Sequence, residues 1–257
     1  MAIYDQFAEI YQRGPYVRFA QGLAESVLPE YLSELGLEPG NLLDVACGEG
    51  TFALMMSRLG YDVVGVDQSP EMIRLARKQA KEEKRGIEFL VEDMRALPFE
   101  AQFDLVTCLF DSLNYMLTIQ DLSDAFMSVY RALRPDGLFI FDMNTIYGLA
   151  VDWMRQETYI QNEAPDFIEL HRQSFDYENL VATMTITIFR QRGKTWQRIE
   201  ETHRERGYPV ADIQFLLHEI GFEVVGMFGN LKKRSALQTT SPRVYFAARK
   251  HGAGAGA

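Results

Sequence analysis

Cysteine is scarce in this sequence: a chain of 257 residues contains two, Cys47 and Cys108. Each lies within an apolar run or at its exit, and their positions match neither a disulfide framework nor the paired spacing of a zinc site. Histidine is also scarce, with four residues. We therefore expect no metal site and a reducing compartment, the cytoplasm.

Positive charge is in short supply as well. Lysine and arginine total 26 against 36 aspartates and glutamates, which gives a formal net charge of -10. Nucleic acids and anionic membrane surfaces bind through clustered basic residues, and the densest such cluster here is Lys232, Lys233 and Arg234. We expect no nucleic acid and no membrane as a partner.

Long uncharged hydrophobic runs are missing too. The first residues, MAIYDQFAEIY, contain no uncharged stretch long enough for a signal peptide or a membrane span. With 47% hydrophobic and 24% charged residues, the composition is that of a globular domain that can bury a substantial core. The sequence therefore predicts a soluble protein.

Short apolar runs alternate with amphipathic helical patterns from about residue 40 onward. Ser69 and Pro70, for example, provide a cap and a first helical residue for the pattern that follows them. Such alternation predicts an α/β fold, a doubly wound Rossmann-like parallel sheet with helices on both faces. The expected strands are NLLDVA (41–46), YDVVGVD (61–67), IEFLVED (87–93), FDLVTCLF (103–110) and LFIFDM (138–143).

The alternation breaks after residue 142. Residues 143–207 contain strand-like runs such as VATMTITIF, in which apolar and threonine side chains alternate as in an antiparallel strand with one covered face. We interpret 143–207 as an antiparallel β insertion forming a lid on a core made of 1–142 and 208–251. The first 35 residues are expected to form N-terminal lid helices, and the GAGAGA stretch at 252–257 a disordered tail.

Acidic residues end three successive predicted strands: Asp44, Asp67 and Asp93. In a doubly wound sheet these strand ends meet at one edge, where ligands bind. Gly48 allows backbone N–H groups to approach a ligand before a helix begins, and Met94 offers an apolar face and an amide. Acids at three strand ends suit a ligand with a diol, an amine and a positive charge, and S-adenosylmethionine has all three.

Four segments in this order resemble the motifs of the class I S-adenosylmethionine-dependent methyltransferases, and the resemblance covers nearly the whole chain. They are LLDVACGEG (42–50), VVGVDQSPEMI (63–73), VEDMRALPF (91–99) and FDLVTCLFDSLNYM (103–116). The sequence departs from the family at Ala46, where the family generally has glycine. The β insertion and the DSLNY-like loop resemble the small-molecule members of the family.

The resemblance implies a set of cofactor-binding residues along these motifs and in the N-terminal segment. They are Tyr11, Arg18, Asp44, Ala46, Gly48, Asp67, Gln68, Met72, Asp93, Met94 and Leu109. Strand-end acids are also common helix caps and turn formers. A nicotinamide-binding Rossmann domain is the nearest rival, but its fingerprint requires glycine where this chain has Ala46, and Asp44 would repel a pyrophosphate.

The acceptor side is expected at the loop after the fourth strand and on the last strand of the insertion. Four residues are the predicted catalytic or substrate-contacting groups: Asp111, Asn114, Tyr115 and His203. His203 shares a strand face with other polar side chains, whereas His171 and His218 are expected on a β surface and a helix face.

We therefore expect a methyltransferase that moves a methyl group from S-adenosylmethionine, leaving S-adenosylhomocysteine, to a small molecule, on an amine nitrogen. O-methylation, a protein or RNA substrate, and a binder without catalytic activity are the alternatives. A monomer and a homodimer are both compatible with the sequence.

Overall fold

The structure is a computed structural model that describes residues 20–251. Its larger sheet has seven strands in the order β10-β11-β5-β4-β1-β2-β3, and its smaller sheet has four, in the order β6-β7-β8-β9. The strands are β1 (Asn41–Val45), β2 (Asp62–Asp67), β3 (Glu88–Val91), β4 (Phe103–Cys108), β5 (Leu133–Asn144), β6 (Thr158–Ala164), β7 (Phe167–Asp176), β8 (Val181–Arg192), β9 (Thr195–Arg206), β10 (Phe222–Phe228) and β11 (Arg243–Lys250).

Five α-helices accompany the strands in residues 20–251. They are α1 (Leu28–Glu34), α2 (Thr51–Arg58), α3 (Pro70–Glu82), α4 (Ile119–Ala132) and α5 (Val210–Ile220). The capping signals expected before α3 are present, because Ser69 Oγ accepts a hydrogen bond from the Met72 N–H at 3.3 Å and Pro70 is the first helical residue. None of the described helices combines the length and the apolar character needed to cross a membrane.

The large sheet confirms the expected doubly wound α/β architecture. β3, β2, β1, β4 and β5 pair in parallel, and β10 and β11 add an antiparallel edge. Apolar clusters fill both faces of this sheet, as the near-continuous hydrophobic character of its central strands requires. The largest difference in strand bounds is at β5, which begins at Leu133 and not at Leu138. Its pairing with β4 is irregular there, with Phe103 opposite Leu133 and Leu105 opposite Leu138.

The small sheet is antiparallel throughout and is formed by residues within the predicted insertion. One of its faces carries buried side chains, including Ile186, Ile188 and Ile199, which form a small apolar cluster with Phe167. The antiparallel insertion expected from the sequence is thus present. Its role as a lid, and the domain limits at 142 and 208, stay predictions.

Candidate active site

A cavity of about 580 Å³ lies between the two sheets. On one side it is lined by residues that follow the carboxyl ends of β1, β2, β3 and β4, which is where ligands of doubly wound sheets bind. On the other side it is lined by side chains of the small sheet. The predicted site residues that line it are Ala46, Gly48, Asp67, Gln68, Met72, Asp93, Met94, Asp111, Tyr115 and His203.

The turn after β1 is built from residues with positive φ angles: 56° at Ala46, 55° at Gly48 and 88° at Gly50. A side chain at Gly50 would collide with Ala76 at 2.9 Å, whereas one at Gly48 would meet nothing within 4 Å. Left-handed backbone costs an L-residue about 1 to 2 kcal/mol. Ala46 therefore bears a strain that glycine would not, which explains why glycine is usual at this position.

Asp67, the last residue of β2, is hydrogen-bonded to the turn after β1. Its carboxylate accepts hydrogen bonds from the Gly48 N–H at 2.9 Å and from the Ser69 N–H at 2.8 Å. Burial raises the pKa of Asp67, and these two bonds oppose that rise. A carboxylate oxygen has further lone pairs, so Asp67 can hold the turn and still accept from a ligand.

Asp44 does not line the cavity itself; its neighbours Val45 and Ala46 do. The side chain is 3% exposed, and Thr107 donates to its Oδ1 at 2.8 Å. Its Oδ2 has no hydrogen-bond partner in the described part of the chain. Burial raises the pKa of Asp44 to about 7, so a nearby cation would favour its ionised form.

Asp93 lines the cavity, but its carboxylate is engaged elsewhere. It accepts from the Arg95 N–H at 2.9 Å and forms an ion pair with the Arg95 guanidinium at 2.6 Å, which lowers the pKa of Asp93. Arg95 also pairs with Asp121 at 2.7 Å. Arg95 therefore pairs with the carboxylate that was expected to face a ligand. Met94, beside Asp93, presents the apolar surface to the cavity.

Two further predicted site residues, besides Asp44, lie outside the cavity wall. Leu109 is buried in the apolar cluster on one face of the large sheet. Asn114 is 0% exposed, and its Nδ2 donates to the backbone carbonyls of Asn144 at 3.0 Å and Arg206 at 2.8 Å. Its amide joins the loop after β4 to β5 and β9, so the structure does not bring Asn114 into the cavity wall, and its contact with substrate stays a prediction. Tyr11 and Arg18 lie outside the described residues.

The loop after β4 is strained and is held by a buried acid. Phe110 and Asp111 both have positive φ, 64° and 53°. Their N–H groups donate to the carboxylate of Asp142 at 2.8 and 3.1 Å. Such conformations persist only where surrounding contacts impose them, so Asp142 fixes the position of the Asp111 side chain.

Arg243 lies between two of the carboxylates that gather beside this loop. Its guanidinium contacts Asp142 and forms an ion pair with Asp111 at 2.6 Å. Burial and the charge of Asp111 raise the pKa of the third acid, Glu205, well above its ordinary value. Three acids, Asp111, Asp142 and Glu205, therefore gather around one arginine at this corner of the cavity.

Tyr115 and His203 meet across the cavity wall. The Tyr115 hydroxyl lies 2.9 Å from His203 Nδ1, and His203 Nε2 lies 3.4 Å from a carboxylate oxygen of Glu201. A carboxylate accepts, so we assign the ring proton to Nε2 and let Nδ1 accept from the tyrosine. Burial, and to a smaller extent the neighbouring His171, lower the pKa of His203 to about 4, which makes the His203 imidazole neutral at pH 7.

Comparison with known proteins agrees with this geometry. Residues 42–137 match the family described as a methyltransferase domain. A putative methyltransferase of Bacillus subtilis, YqeM, is 30% identical over 253 residues, which is 96% of this chain and 97% of the relative. The chain belongs to the S-adenosylmethionine-dependent methyltransferases.

Solved structures show the same fold as this methyltransferase. An S-adenosylmethionine-dependent methyltransferase from Clostridium acetobutylicum superposes with a TM-score of 0.85 at 24% identity, over 97% of this chain and 99% of that one. The sugar N-methyltransferase KedS8 from Streptoalloteichus superposes with a TM-score of 0.71 at 17% identity, over 97% and 93% of the two chains. Both likenesses extend through the small sheet as well as the large one.

The sequence reasoning missed several polar residues of the methyltransferase cavity. Arg243 was not recognised, and His171 was wrongly expected on a β surface: it is 2% exposed and lines the cavity. A signal for His171 did exist, since IELHRQ and EETHRE both place a glutamate two residues before a histidine. In a strand, that spacing puts the two side chains on one face.

Proposed function

We propose that this methyltransferase transfers the methyl group of S-adenosylmethionine to an amine nitrogen of a small molecule. The observation that carries the proposal is the Tyr115 hydroxyl, 2.9 Å from a neutral His203, in the wall of the cavity. An amine nucleophile must carry a lone pair when it attacks and must shed a proton as it becomes methylated. A tyrosine that donates to a neutral imidazole suits both needs.

The residues at the strand ends fit the cofactor. Bound S-adenosylmethionine would supply a methyl group on a positively charged sulfur, which is already an excellent leaving group. We assign its ribose diol to Asp67, its adenine to the wall formed by Gln68, Met72 and Met94, and its charged amino acid end to the turn of Ala46 and Gly48. The buried Oδ2 of Asp44, which lacks a hydrogen-bond partner in the described part of the chain, supports placing positive charge near this turn.

The acceptor nitrogen would lie between this turn and Tyr115. Bound S-adenosylmethionine would supply the methyl group to the lone pair of this nitrogen, so the residues that position the acceptor and exclude water would supply most of the acceleration. The proton released from nitrogen passes to the Tyr115 oxygen as the Tyr115 proton passes to His203 Nδ1. Glu201, 3.4 Å from His203 Nε2, stabilises the imidazolium while it exists.

The acidic corner supports an amine over a neutral acceptor. Asp111, paired with Arg243 at 2.6 Å, lines the cavity together with Glu205, and with the buried Asp142 they place three acids beside one arginine. A low-dielectric cavity strengthens the attraction of such a site for a cation. An amine in water is largely an ammonium, so this corner favours its binding. The ammonium loses its first proton to water before its lone pair attacks, and the path through Tyr115 takes up the proton released on methylation.

A cavity between two sheets and a net charge of -10 both favour a small molecule over RNA. KedS8, which has the same fold, is named as a sugar N-methyltransferase. That name concerns another acceptor on another chain, and it supports nitrogen as a target without identifying the molecule.

The experiment is a panel of primary amines and the matching alcohols, incubated with purified protein and S-adenosylmethionine. Release of S-adenosylhomocysteine is measured, and the methylated product is identified by mass spectrometry. We expect methylation of amines and not of the alcohols. Methylation of the alcohols alone would replace this proposal with O-methylation.

Two variants locate the chemistry. Tyr115→Phe and His203→Gln should each lower kcat about 10²-fold or more, the usual scale of general base catalysis, with little change in the Kd of S-adenosylhomocysteine. The exposed helix residue His218 provides a matched control, His218→Gln. Full activity of both Tyr115→Phe and His203→Gln would exclude the proposed proton path.

A further inference from the structure

A second glutamate, histidine and tyrosine line up in the small sheet, on the same cavity. His171 Nε2 lies 2.7 Å from Glu169 Oε1, and its Nδ1 lies 3.2 Å from the Tyr159 hydroxyl. This arrangement repeats that of Glu201, His203 and Tyr115, down to which ring nitrogen faces which partner. Glu169 is 0% exposed and His171 is 2% exposed, so the glutamate and the histidine of the second trio are both buried.

The direction of these hydrogen bonds determines whether the Tyr159 hydroxyl can donate a hydrogen bond to a ligand or accept one from it. We assign the ring proton of a neutral His171 to Nε2, where Glu169 accepts it, so that Nδ1 accepts the proton of Tyr159. The Tyr159 oxygen also accepts from Gln173 Nε2 at 3.0 Å. Burial raises the pKa of Tyr159, so the phenol keeps its proton at neutral pH. Its remaining lone pair can accept a hydrogen bond, and it has no proton left to donate.

Strand register places the two trios at opposite ends of an apolar strip. His171 is opposite Ile186 of β8, and His203 is opposite Met184. The two histidines are therefore two strands and one side-chain repeat apart, a Cα separation of roughly 12 Å from sheet spacings. Met184 and Ile186 lie between them and also line the cavity.

Beyond Tyr159 the space continues into a second cavity of about 310 Å³. It shares Trp153, Tyr159 and Met184 with the first cavity. Asp152 and Arg155, which form an ion pair at 3.0 Å, line its outer side. The two adjoining cavities therefore offer a ligand more space than a methyl transfer at Tyr115 requires.

We propose that Tyr159, oriented by His171, Glu169 and Gln173, is a second acceptor subsite that binds a hydrogen-bond-donating group remote from the methylated nitrogen. The inference rests on the proposed function for the reacting end. It describes the substrate class: an elongated amine with an apolar middle section and a hydroxyl or second amine at its far end. Tyr159 is then a specificity residue, and His171 is a positioning residue that acts through it.

The experiment compares three probes of matched chain length. They are α,ω-amino alcohols of three to eight carbons, the corresponding alkylamines, and the amines that carry a terminal methoxy group. The methoxy oxygen accepts hydrogen bonds but cannot donate one. Binding is measured calorimetrically with S-adenosylhomocysteine present, and methylation is measured in parallel with S-adenosylmethionine.

We expect one chain length at which the amino alcohol binds about 3- to 10-fold more tightly than both companions, the effect of one added hydrogen bond. Tyr159→Phe should abolish that preference and leave alkylamine binding unchanged. Tyr177→Phe is the matched control, since it removes a phenol hydroxyl at an exposed site in the turn between β7 and β8. Equal binding of the three probes by the unaltered protein, or a preference that survives in Tyr159→Phe, would overturn the subsite.

His171 has its own test. A glutamine can accept from Tyr159 and donate to Glu169, so His171→Gln should keep the preference for the hydroxyl probe. His171→Leu frees the Tyr159 proton, which can then be donated to a methoxy oxygen, so the preference of the hydroxyl probe over the methoxy probe should disappear. An unchanged order of the probes in His171→Leu would show that His171 does not orient the phenol.

The two proposals fail separately. If the hydroxyl preference appears in binding while no amine is methylated, the nitrogen assignment is wrong and the subsite stands. If amines are methylated without any preference among the probes, the subsite is wrong and the proposed function stands.

Discussion

The two ends of the cavity are built in different ways. At the cofactor end the joining contacts involve backbone groups of residues close in the chain: Asp67 accepts from the N–H of Ser69, two residues away, and of Gly48, 19 residues away. At the acceptor end side chains meet across long separations, 88 residues for Tyr115 and His203 and 132 for Asp111 and Arg243. Hydrogen bonds to backbone groups survive many side-chain substitutions. The structure of the cofactor end can therefore stay constant while the side chains of the acceptor end change with the acceptor.

The largest effect is expected from removing the cation of the acceptor end. Arg243→Met leaves Asp142, which is 0% exposed, and Asp111 without their positive partner. Breaking a buried ion pair costs about 3 to 5 kcal/mol, so we expect a loss of that size in the free energy of unfolding at pH 7. Chemical denaturation measures it.

The pH dependence and a matched control sharpen this prediction. Burial already raises the pKa of Asp142, and loss of Arg243 raises it further, so the deficit of the variant should shrink as the pH falls and the acid is protonated. Arg134→Met removes an arginine from a more exposed pair with Asp104, at 2.8 Å, and should cost less than about 1 kcal/mol. Equal losses in the two variants would mean that the acidic corner is as solvated as the surface.

The same contrast explains what the sequence predicted. The parallel sheet, the turn at Gly48 and the acid Asp67 are encoded locally, by periodicity and by motifs of consecutive residues. Asn114, in contrast, sits in a motif typical of substrate-bordering loops, yet its amide is consumed by carbonyls of Asn144 and Arg206. Whether a polar side chain faces a cavity or a backbone depends on strands that arrive from elsewhere in the chain.

His171 differs from its prediction in the opposite way, because it was expected on a surface and lines the cavity. Its surroundings in the sequence are those of an exposed strand, with Arg172 next to it and Glu169 two residues before it. The glutamate is in fact its buried partner, at 2.7 Å. Period-two patterning groups these side chains on one face, but which face is covered depends on how the small sheet packs against the large one.

The second-largest effect is expected from the protonation of His203 at the acceptor end. Burial, and to a smaller extent the neighbouring His171, lower the pKa of His203 from 6.5 to about 4. The folded protein therefore binds fewer protons than the unfolded chain between these values, and its stability should fall as the pH drops from 6.5 to 4. The contribution of this group is about 3 kcal/mol as an order of magnitude.

His203→Gln removes this dependence. We expect the stability difference between the variant and the unaltered protein to move in favour of the variant as the pH falls through that window, measured by denaturation at a series of pH values. His218→Gln, at an exposed helix position, should leave the pH profile unchanged. A parallel pH profile for His203→Gln would contradict a neutral buried imidazole.

A smaller effect is expected at the cofactor end, from Asp67→Ala. The change removes the acceptor of the proposed diol bonds and of the Gly48 and Ser69 N–H groups. Charge-assisted hydrogen bonds of this kind contribute about 1 to 3 kcal/mol, so the Kd of S-adenosylhomocysteine should rise by roughly 5- to 150-fold in calorimetric titration. Asp62→Ala, at the exposed opposite end of β2, is the control; an unchanged Kd in Asp67→Ala would show that the ribose lies elsewhere.

The smallest effect tests whether the cofactor end depends on backbone conformation alone. Ala46, with φ of 56°, is strained where glycine would not be, and Ala46→Gly should raise the free energy of unfolding by up to about 1 kcal/mol. Ala101, with φ of 47° in an exposed turn away from the cavity, offers the matched change Ala101→Gly, with a similar gain in stability. The Kd of S-adenosylhomocysteine separates the two, because Ala46 lines the cavity and only its replacement should alter cofactor affinity. If both variants gain stability and neither changes the Kd, the left-handed turn is a requirement of the fold, and the methyl group of Ala46 does not crowd the cofactor.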